Sequence, residues 1–152
     1  MPRRGSPQVF RVLLPANGLE KSRRFYETLL GIRGRRVAKG RVYFECGPVI
    51  LGLLDSSGRG RKKPPATTEA IYFATTDLRG VFRRAVRLEC LETGLLHGDP
   101  ESPLGEVVRR PWGERSFYAV DPSGNSLCFV DSRTLFTGTP KQIAAFERSA
   151  TR

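Results

Sequence analysis

Few residues in this chain can do more chemistry than carrying charge, and their spacing limits what that chemistry is. The single histidine, His97, follows Thr93-Gly94-Leu95-Leu96 in a stretch that reads as a loop, where an imidazole is most simply solvated. The three cysteines, Cys46, Cys90 and Cys128, are odd in number and lack a C-x-x-C spacing, so neither a disulfide framework nor a zinc ribbon is indicated. They read as reduced core thiols. Cys128 becomes a nucleophile or soft-metal ligand only if something stabilises its thiolate. Pro111-Trp112-Gly113-Glu114-Arg115 sets the sole tryptophan beside a carboxylate and a guanidinium. Arg115 has the donor fork for a bidentate grip on a carboxylate or phosphate, and it can equally pair with an acidic neighbour across a strand. Tyr43, Tyr72 and Tyr118 fall on predicted strands, and strand parity alone does not say which of them face a binding surface.

These residues are positioned by short elements with clear periods. Phe117 and Ala119, then Leu127 and Phe129, recur at every second position on either side of Asp121-Pro122-Ser123-Gly124-Asn125. That predicts a hairpin, with Pro122 presetting φ, Gly124 free to take φ > 0 and Asp121 and Asn125 bonding nearby backbone. Earlier in the chain, 9–14 reads as a strand broken by Pro15 to Gly18. Leu19, Phe25, Tyr26, Leu29 and Leu30 then fall on one face of a helix over 19–30 that stops at Gly31. Strands are predicted over 32–39, 41–46 and 49–54, with Gly47-Pro48 as a turn. A Gly-, Ser-, Pro- and Lys-rich stretch follows over 56–68 and reads as a linker.

Beyond the linker the pattern begins again. A strand over 70–75, a helix from Asp77-Leu78 to about Cys90, and strands over 106–110, 116–120 and 127–130 repeat the first series. Ile71-Tyr72-Phe73 answers to Val12-Leu13-Leu14, Leu78 to Leu19, Phe117-Tyr118 to Tyr43-Phe44, and Asp131 to Asp55. One such unit buries a single face of a four-stranded sheet, so two are expected to pack together. The expected organisation is a basic tail over 1–7, a βαβββ module over 8–55, the linker over 56–68, a second βαβββ module over 69–132 and a tail or short helix over 133–152.

The run from Trp112 to Asp131, together with Arg11 to Gly31 containing Leu19-Glu20-Lys21-Ser22 and Phe25-Tyr26, resembles the vicinal oxygen chelate superfamily. This is the superfamily of glyoxalase I, bleomycin-resistance proteins and extradiol dioxygenases, and the chain is most similar to the bleomycin-resistance branch. The resemblance spans about residues 8–132 and implies an α+β fold of two tandem βαβββ modules forming a curved mixed sheet with a concave cleft. In metal-dependent members a divalent ion is held by His, Gln or Glu from the opening and closing strands of each module. Counted from the matching motifs, those positions fall here on Arg11, Gly52, Ala70 and Cys128.

None of the four is a histidine or a carboxylate. Arg11 would set a fixed positive charge at the cation's place, a cost on the order of several kcal/mol in a dry site. Glu69 is one residue out of register, which turns its side chain to the opposite face. Glu45 and His97 lie outside the ligand strands. No metal and no cofactor are therefore expected. The resemblance also makes Trp112 a stacking platform of a ligand groove, with a core anchor as the competing reading. Arg11, Trp112, Arg115, Tyr72, Tyr118 and Cys128 are the expected ligand-binding residues, and Cys128 and Arg11 the weak candidates for catalysis.

Charge narrows the ligand. The formal net charge is +11, carried mostly by arginine and scattered apart from Arg59-Gly60-Arg61-Lys62-Lys63. Such a field disfavours cationic drugs and suits a small neutral or anionic molecule. Binding without the family's usual metal, in a homodimer, is the expected function. The rivals are a lyase or dioxygenase with relocated ligands, a cofactor-free enzyme using Cys128, a tyrosine or Arg11, and nucleic-acid binding, which rests on charge alone and is disfavoured. No apolar run approaches the roughly 18 to 20 residues that span a bilayer, and Met1-Pro2-Arg3-Arg4 is not followed by the apolar core of a secretion signal. A soluble, cytoplasmic protein with no membrane partner is expected.

Overall fold

Alternation along residues 11–16 sets the first strand. Leu14 and Ala16 are buried while Arg11 and Leu13 are exposed, as expected of a ribbon with one covered face. The computed structural model describes residues 5, 8–56 and 69–150, so most of the expected linker and basic tail lie outside the described residues. Its elements are β1 (Arg11–Ala16), α1 (Leu19–Leu30), β2 (Arg35–Ala38), β3 (Arg41–Cys46), β4 (Val49–Asp55), β5 (Ile71–Thr75), α2 (Leu78–Arg87), β6 (Val108–Arg109), β7 (Arg115–Val120), β8 (Ser126–Asp131) and α3 (Pro140–Ala150). The chain falls into two compact units, one from β1 to β4 and the other from β5 to α3. Each holds a four-stranded mixed sheet, in the order β1-β4-β3-β2 in the first and β5-β8-β7-β6 in the second. In both, the first strand pairs parallel with the fourth through a helical crossover, and the remaining pairs are antiparallel. The fold is α+β, as the residues and the resemblance both imply.

In the first unit α1 buries Leu19, Ser22, Phe25, Tyr26 and Leu29. The Tyr26 ring sits 5.2 Å from Phe25 and 5.8 Å from Phe44 of β3, so aromatic packing fastens helix to sheet. Gly31 ends the helix at φ 70°, and its N–H donates to Glu27 O. In the second unit Asp77 caps α2 by accepting from Gly80 N at 3.0 Å. A Cβ at Gly80 would lie 2.1 Å from the Asp77 carboxylate, so any other residue there would make that side chain turn. The core beneath α2 is a run of rings, Phe73 to Phe129 at 4.9 Å, Phe129 to Phe117 at 5.4 Å and Phe117 to Phe82 at 5.2 Å.

The hairpin between β7 and β8 forms as its turn residues predict. One Asp121 oxygen accepts from Ser123 N at 2.9 Å and Asn125 N at 2.8 Å, and Gly124 takes φ 87°. Several boundaries differ from expectation. The second helix stops at Arg87, because Glu89 enters the left-handed region at φ 54° and turns the chain before Cys90. The strand expected over 106–110 shrinks to Val108–Arg109, and the ladder closes just beyond it in a tight turn, where Arg110 N donates to Glu114 O and Gly113 N to Arg110 O. The C-terminal stretch forms an 11-residue helix, α3, where Thr139 Oγ1 accepts from Gln142 N and the Gln142 side chain accepts from Thr139 N.

One correspondence between the repeats needs correction. Tyr43 stands opposite Gly52 and Tyr118 opposite Cys128, so Tyr43 answers to Tyr118 and not to Phe117. The shift matters because neighbouring strand residues face opposite ways. Phe117 meets Phe82 of α2, whereas Tyr118 points away from the helix.

Candidate functional site

On the second unit, Tyr72, Ala74, Val130, Trp112 and Glu114 line a cavity of about 530 Å³, closed on another side by Leu135, Phe136, Thr137 and Phe146. Two of the expected binding residues, Tyr72 and Trp112, are thus brought together on one wall. Tyr72 is 58% exposed and its ring approaches Tyr118 edge-on at 6.5 Å. Trp112 is held by its own neighbour, its Nε1–H donating to Glu114 Oε1 at 2.6 Å. The other Glu114 oxygen accepts from Phe136 N at 2.8 Å, which ties the segment leading to α3 onto the same carboxylate. Glu114 is buried and both its oxygens are engaged, so it anchors the walls and leaves an apolar, aromatic interior. Phe136 and Phe146 pack edge to face at 6.5 Å. Sequence reasoning missed them as lining residues; an aromatic pair in an otherwise polar tail was the available signal.

Tyr118 and Cys128 lie beside this cavity in a separate cluster with Val130, covered by Ala70, Leu96 and Leu104. Cys128 is fully buried, and burial pushes its thiol up to about 11 against hydrogen bonds from Ser116 and Tyr118 that pull it down. About one thiol in ten thousand is then ionised at neutral pH. Burial raises the Tyr118 phenol well above its usual range too.

The residue that organises this cluster, also missed in the sequence, is Arg110. It is 1% exposed, and its guanidinium donates to Ser116 Oγ, Ser102 Oγ, Pro103 O, Leu104 O, Glu106 O and Ser116 O at 2.9–3.3 Å. Its Cζ lies 5.1 Å from the Tyr118 ring centroid. Carbonyl dipoles, hydroxyls and a π face compensate the charge, and desolvation lowers its pKa. In the sequence Arg110 looks like any other arginine of a basic chain.

The family's metal positions can be tested in each unit. In the first, Arg11 is exposed with its Cζ 4.9 Å from the Phe10 centroid and 5.6 Å from that of Tyr43. Gly52 supplies no side chain, and an added Cβ would meet Leu13 Cδ2 at 2.4 Å and Tyr43 Cε1 at 3.0 Å, so the Leu13 side chain would have to turn aside. In the second, Ala70 offers a methyl and Cys128 a buried, protonated thiol. This donor set does not fit a divalent ion. Among the described residues no group of three or more His, Cys, Asp and Glu side chains is placed to hold one. His97, in the 3₁₀ turn Leu96–Gly98, is exposed, and Glu45 pairs with Arg35 at 2.8 Å.

Arg115 stands apart from the other expected binding residues. Ser116 and Tyr118 face away from α2, so Arg115 and Phe117 face toward it, and Arg115 lines a different cavity of about 510 Å³ with Leu78, Arg79, Phe82, Arg83 and Val107. Nearby Asp131 is held well below the usual carboxylate range, at about 2, first by its side-chain hydrogen bonds from Arg133 and to a smaller extent by the charge of Arg115.

Two βαβββ units, each a mixed sheet with one crossover helix, define the class of fold. The chain belongs to the glyoxalase/bleomycin resistance protein/dioxygenase superfamily, which it matches over residues 8–129. Similar solved structures include the lactoylglutathione lyase from Agrobacterium tumefaciens, at 23% identity over 85% of this chain and 96% of that one with a TM-score of 0.58. The oxidase ChaP-H2 is 25% identical over 83% and 94%, with a TM-score of 0.60. A bleomycin-binding protein complexed with bleomycin is 20% identical over 83% and 98%, with a TM-score of 0.57. No curated protein matches the chain. No helix among the described residues is long and apolar enough to cross a membrane.

Proposed function

We propose that this protein binds a small neutral or anionic molecule without the superfamily's usual metal, as a homodimer in the cytoplasm. The observation that carries this reading is the donor set at the four ligand positions, where Arg11, Gly52, Ala70 and Cys128 supply a cation, no side chain, a methyl and a buried thiol. A binding role is further supported by the aromatic cavity at Tyr72 and Trp112, whose only acid, Glu114, is occupied internally. That lining favours a planar, uncharged ring system over a cationic drug. Tyr118 and Cys128 back the cavity, while Arg11 sets a positive field in the first unit. Arg115 serves an anionic group elsewhere on the second. Exposed Val9, Phe10 and Leu13, at and just before the edge strand β1, support self-association.

The test uses full-length protein purified without chelators. Metal analysis is expected to find far less than one equivalent of Ni, Zn, Fe or Mn per chain, and about one tightly held ion would overturn the metal-free reading. Because Trp112 is the only tryptophan, its fluorescence reports the cavity directly. Saturable quenching by neutral polycyclic aromatics supports the binding role. A response no greater than that of free tryptophan across such a panel would refute it. Light scattering that finds only monomer at micromolar concentration would remove the homodimer.

A further inference from the structure

The second half carries a groove between α2 and the β6–β7 hairpin, and the two halves differ in the residues at its matching positions. The registers make the comparison direct. Ala16 faces Asp55 and Thr75 faces Asp131, and α1 and α2 follow at the same spacing, so Glu20 answers to Arg79 and Arg23 to Phe82. Arg36 stands opposite Val42, the residue before Tyr43. Val108 stands opposite Ser116, which brings Val107 alongside Phe117, the residue before Tyr118. Val107 therefore holds the place of Arg36. In the first half Arg36 Nη2 donates to Glu20 Oε1 at 2.6 Å, and Arg23 approaches the same carboxylate at 3.4 Å, so these positions hold the chain's own acid paired with two arginines.

In the second half the acid is replaced by Arg79 and its strand partner by Val107. Strand β6 is only Val108–Arg109, and the Phe82 ring is partly uncovered. The resulting cavity of about 510 Å³ has Leu78, Phe82 and Val107 as its apolar floor and Arg79, Arg83 and Arg115 around it. Among the described residues none of the three arginines is in an ion pair. Two acids of the flanking elements are committed, Asp131 to Arg133 in a two-bond pair and Asp77 to the Gly80 N–H. Three cations thus line this cavity, and one of them, Arg79, stands at the position where the first half has the Glu20 carboxylate.

We infer that this groove is a second binding site, separate from the Trp112 cavity, for a small organic anion whose carboxylate or phosphate takes the place of the missing Glu20 counterpart and whose apolar body lies on Phe82 and Val107. Guanidinium forks suit either head group, and the ring floor sets the requirement for an apolar tail. Nucleic acid is a poor fit, because the cations surround a pocket of small-molecule size and form no extended stripe.

Phenyl phosphate titrated into the ¹⁵N-labelled full-length chain at low salt tests this. The expected result is saturable shifts of the amides of Arg79, Phe82, Arg83 and Arg115, with Trp112 fluorescence unchanged. Benzoate should bind the same amides, while inorganic phosphate, lacking the apolar body, should bind at least about tenfold more weakly. The double substitution R79E/V107R imports the first half's own ion pair and should weaken phenyl phosphate about tenfold or more. The single exposed change R83Q, which asks nothing of the core, should weaken it several-fold. Unchanged affinity in R83Q, or shifts confined to residues around Trp112, would overturn the second site without touching the metal-free reading. Absence of saturable shifts at any of the four amides overturns it equally.

Discussion

Arg110→Met is the substitution that most directly tests how the second unit is held together. Methionine keeps much of the volume but removes every donor, and the guanidinium it replaces makes six hydrogen bonds at a site 1% exposed to solvent. Leu104 O retains the Tyr118 N–H at 2.8 Å, so the backbone acceptors that lose the guanidinium are Pro103 O, Glu106 O and Ser116 O, along with two serine hydroxyls that can reorient. Each unpaired buried acceptor costs about 1–3 kcal/mol. Relief from desolvating the cation offsets part of that, which leaves a net loss of about 3–5 kcal/mol, the usual size for breaking a buried charged network. Arg110→Lys keeps the charge but has only the three donors of an ammonium, so about 1–3 kcal/mol is expected. Urea unfolding with the slope held in common measures both. Hydrogen exchange should show residues 102–106 losing protection first, since these carbonyls and the Ser102 hydroxyl are what Arg110 binds. A loss below about 1 kcal/mol in Arg110→Met would refute the view that this arginine pins the loop over Tyr118 and Cys128.

The remaining expectations follow from single groups. Asp131 has its folded pKa depressed to about 2, below the unfolded value of about 3.9, so its contribution to stability is present above the unfolded value and is lost as pH falls through about 2. Asp131→Asn should flatten the acid limb of the stability–pH curve between about pH 4 and pH 2, and an unchanged limb would contradict that assignment. Iodoacetamide at neutral pH should modify half-buried Cys46 first and leave Cys128, whose thiol is pushed up to about 11, untouched until denaturant is added. Equal labelling rates read by mass spectrometry would count against a buried Cys128. Gly52→Ala should destabilise by about 1 kcal/mol, because its Cβ would press on Tyr43 and turn the Leu13 side chain aside; a loss above about 3 kcal/mol would mean that Leu13 cannot move.

Periodicity and turn chemistry reach far into this fold. Both helices with their starts, the β7–β8 hairpin and the duplicated order of elements are legible because each follows from a residue's own preference: Gly31 for the left-handed stop, Asp77 for the cap, Asp121 to Asn125 for the turn. Arg11, Gly52, Ala70 and Cys128 are picked out by counting from these same motifs, and what such counting supplies is a place in the chain, not a role. The one-residue error that matched Phe117 to Tyr43 shows the limit, because facing depends on the ladder register and a run of apolar residues does not display it.

What the order of residues determined by itself is the repeat and its element types, both properties of neighbours in the chain. Only the tertiary structure decided that Arg115 faces α2 while Trp112 and Tyr72 share a cavity with Phe136 and Phe146, and that Arg110 is a buried clamp. A guanidinium on the surface and one wrapped in carbonyl oxygens are written with the same letter. Their difference is made by backbone groups brought back from elsewhere in the sequence, and such return contacts leave no local trace.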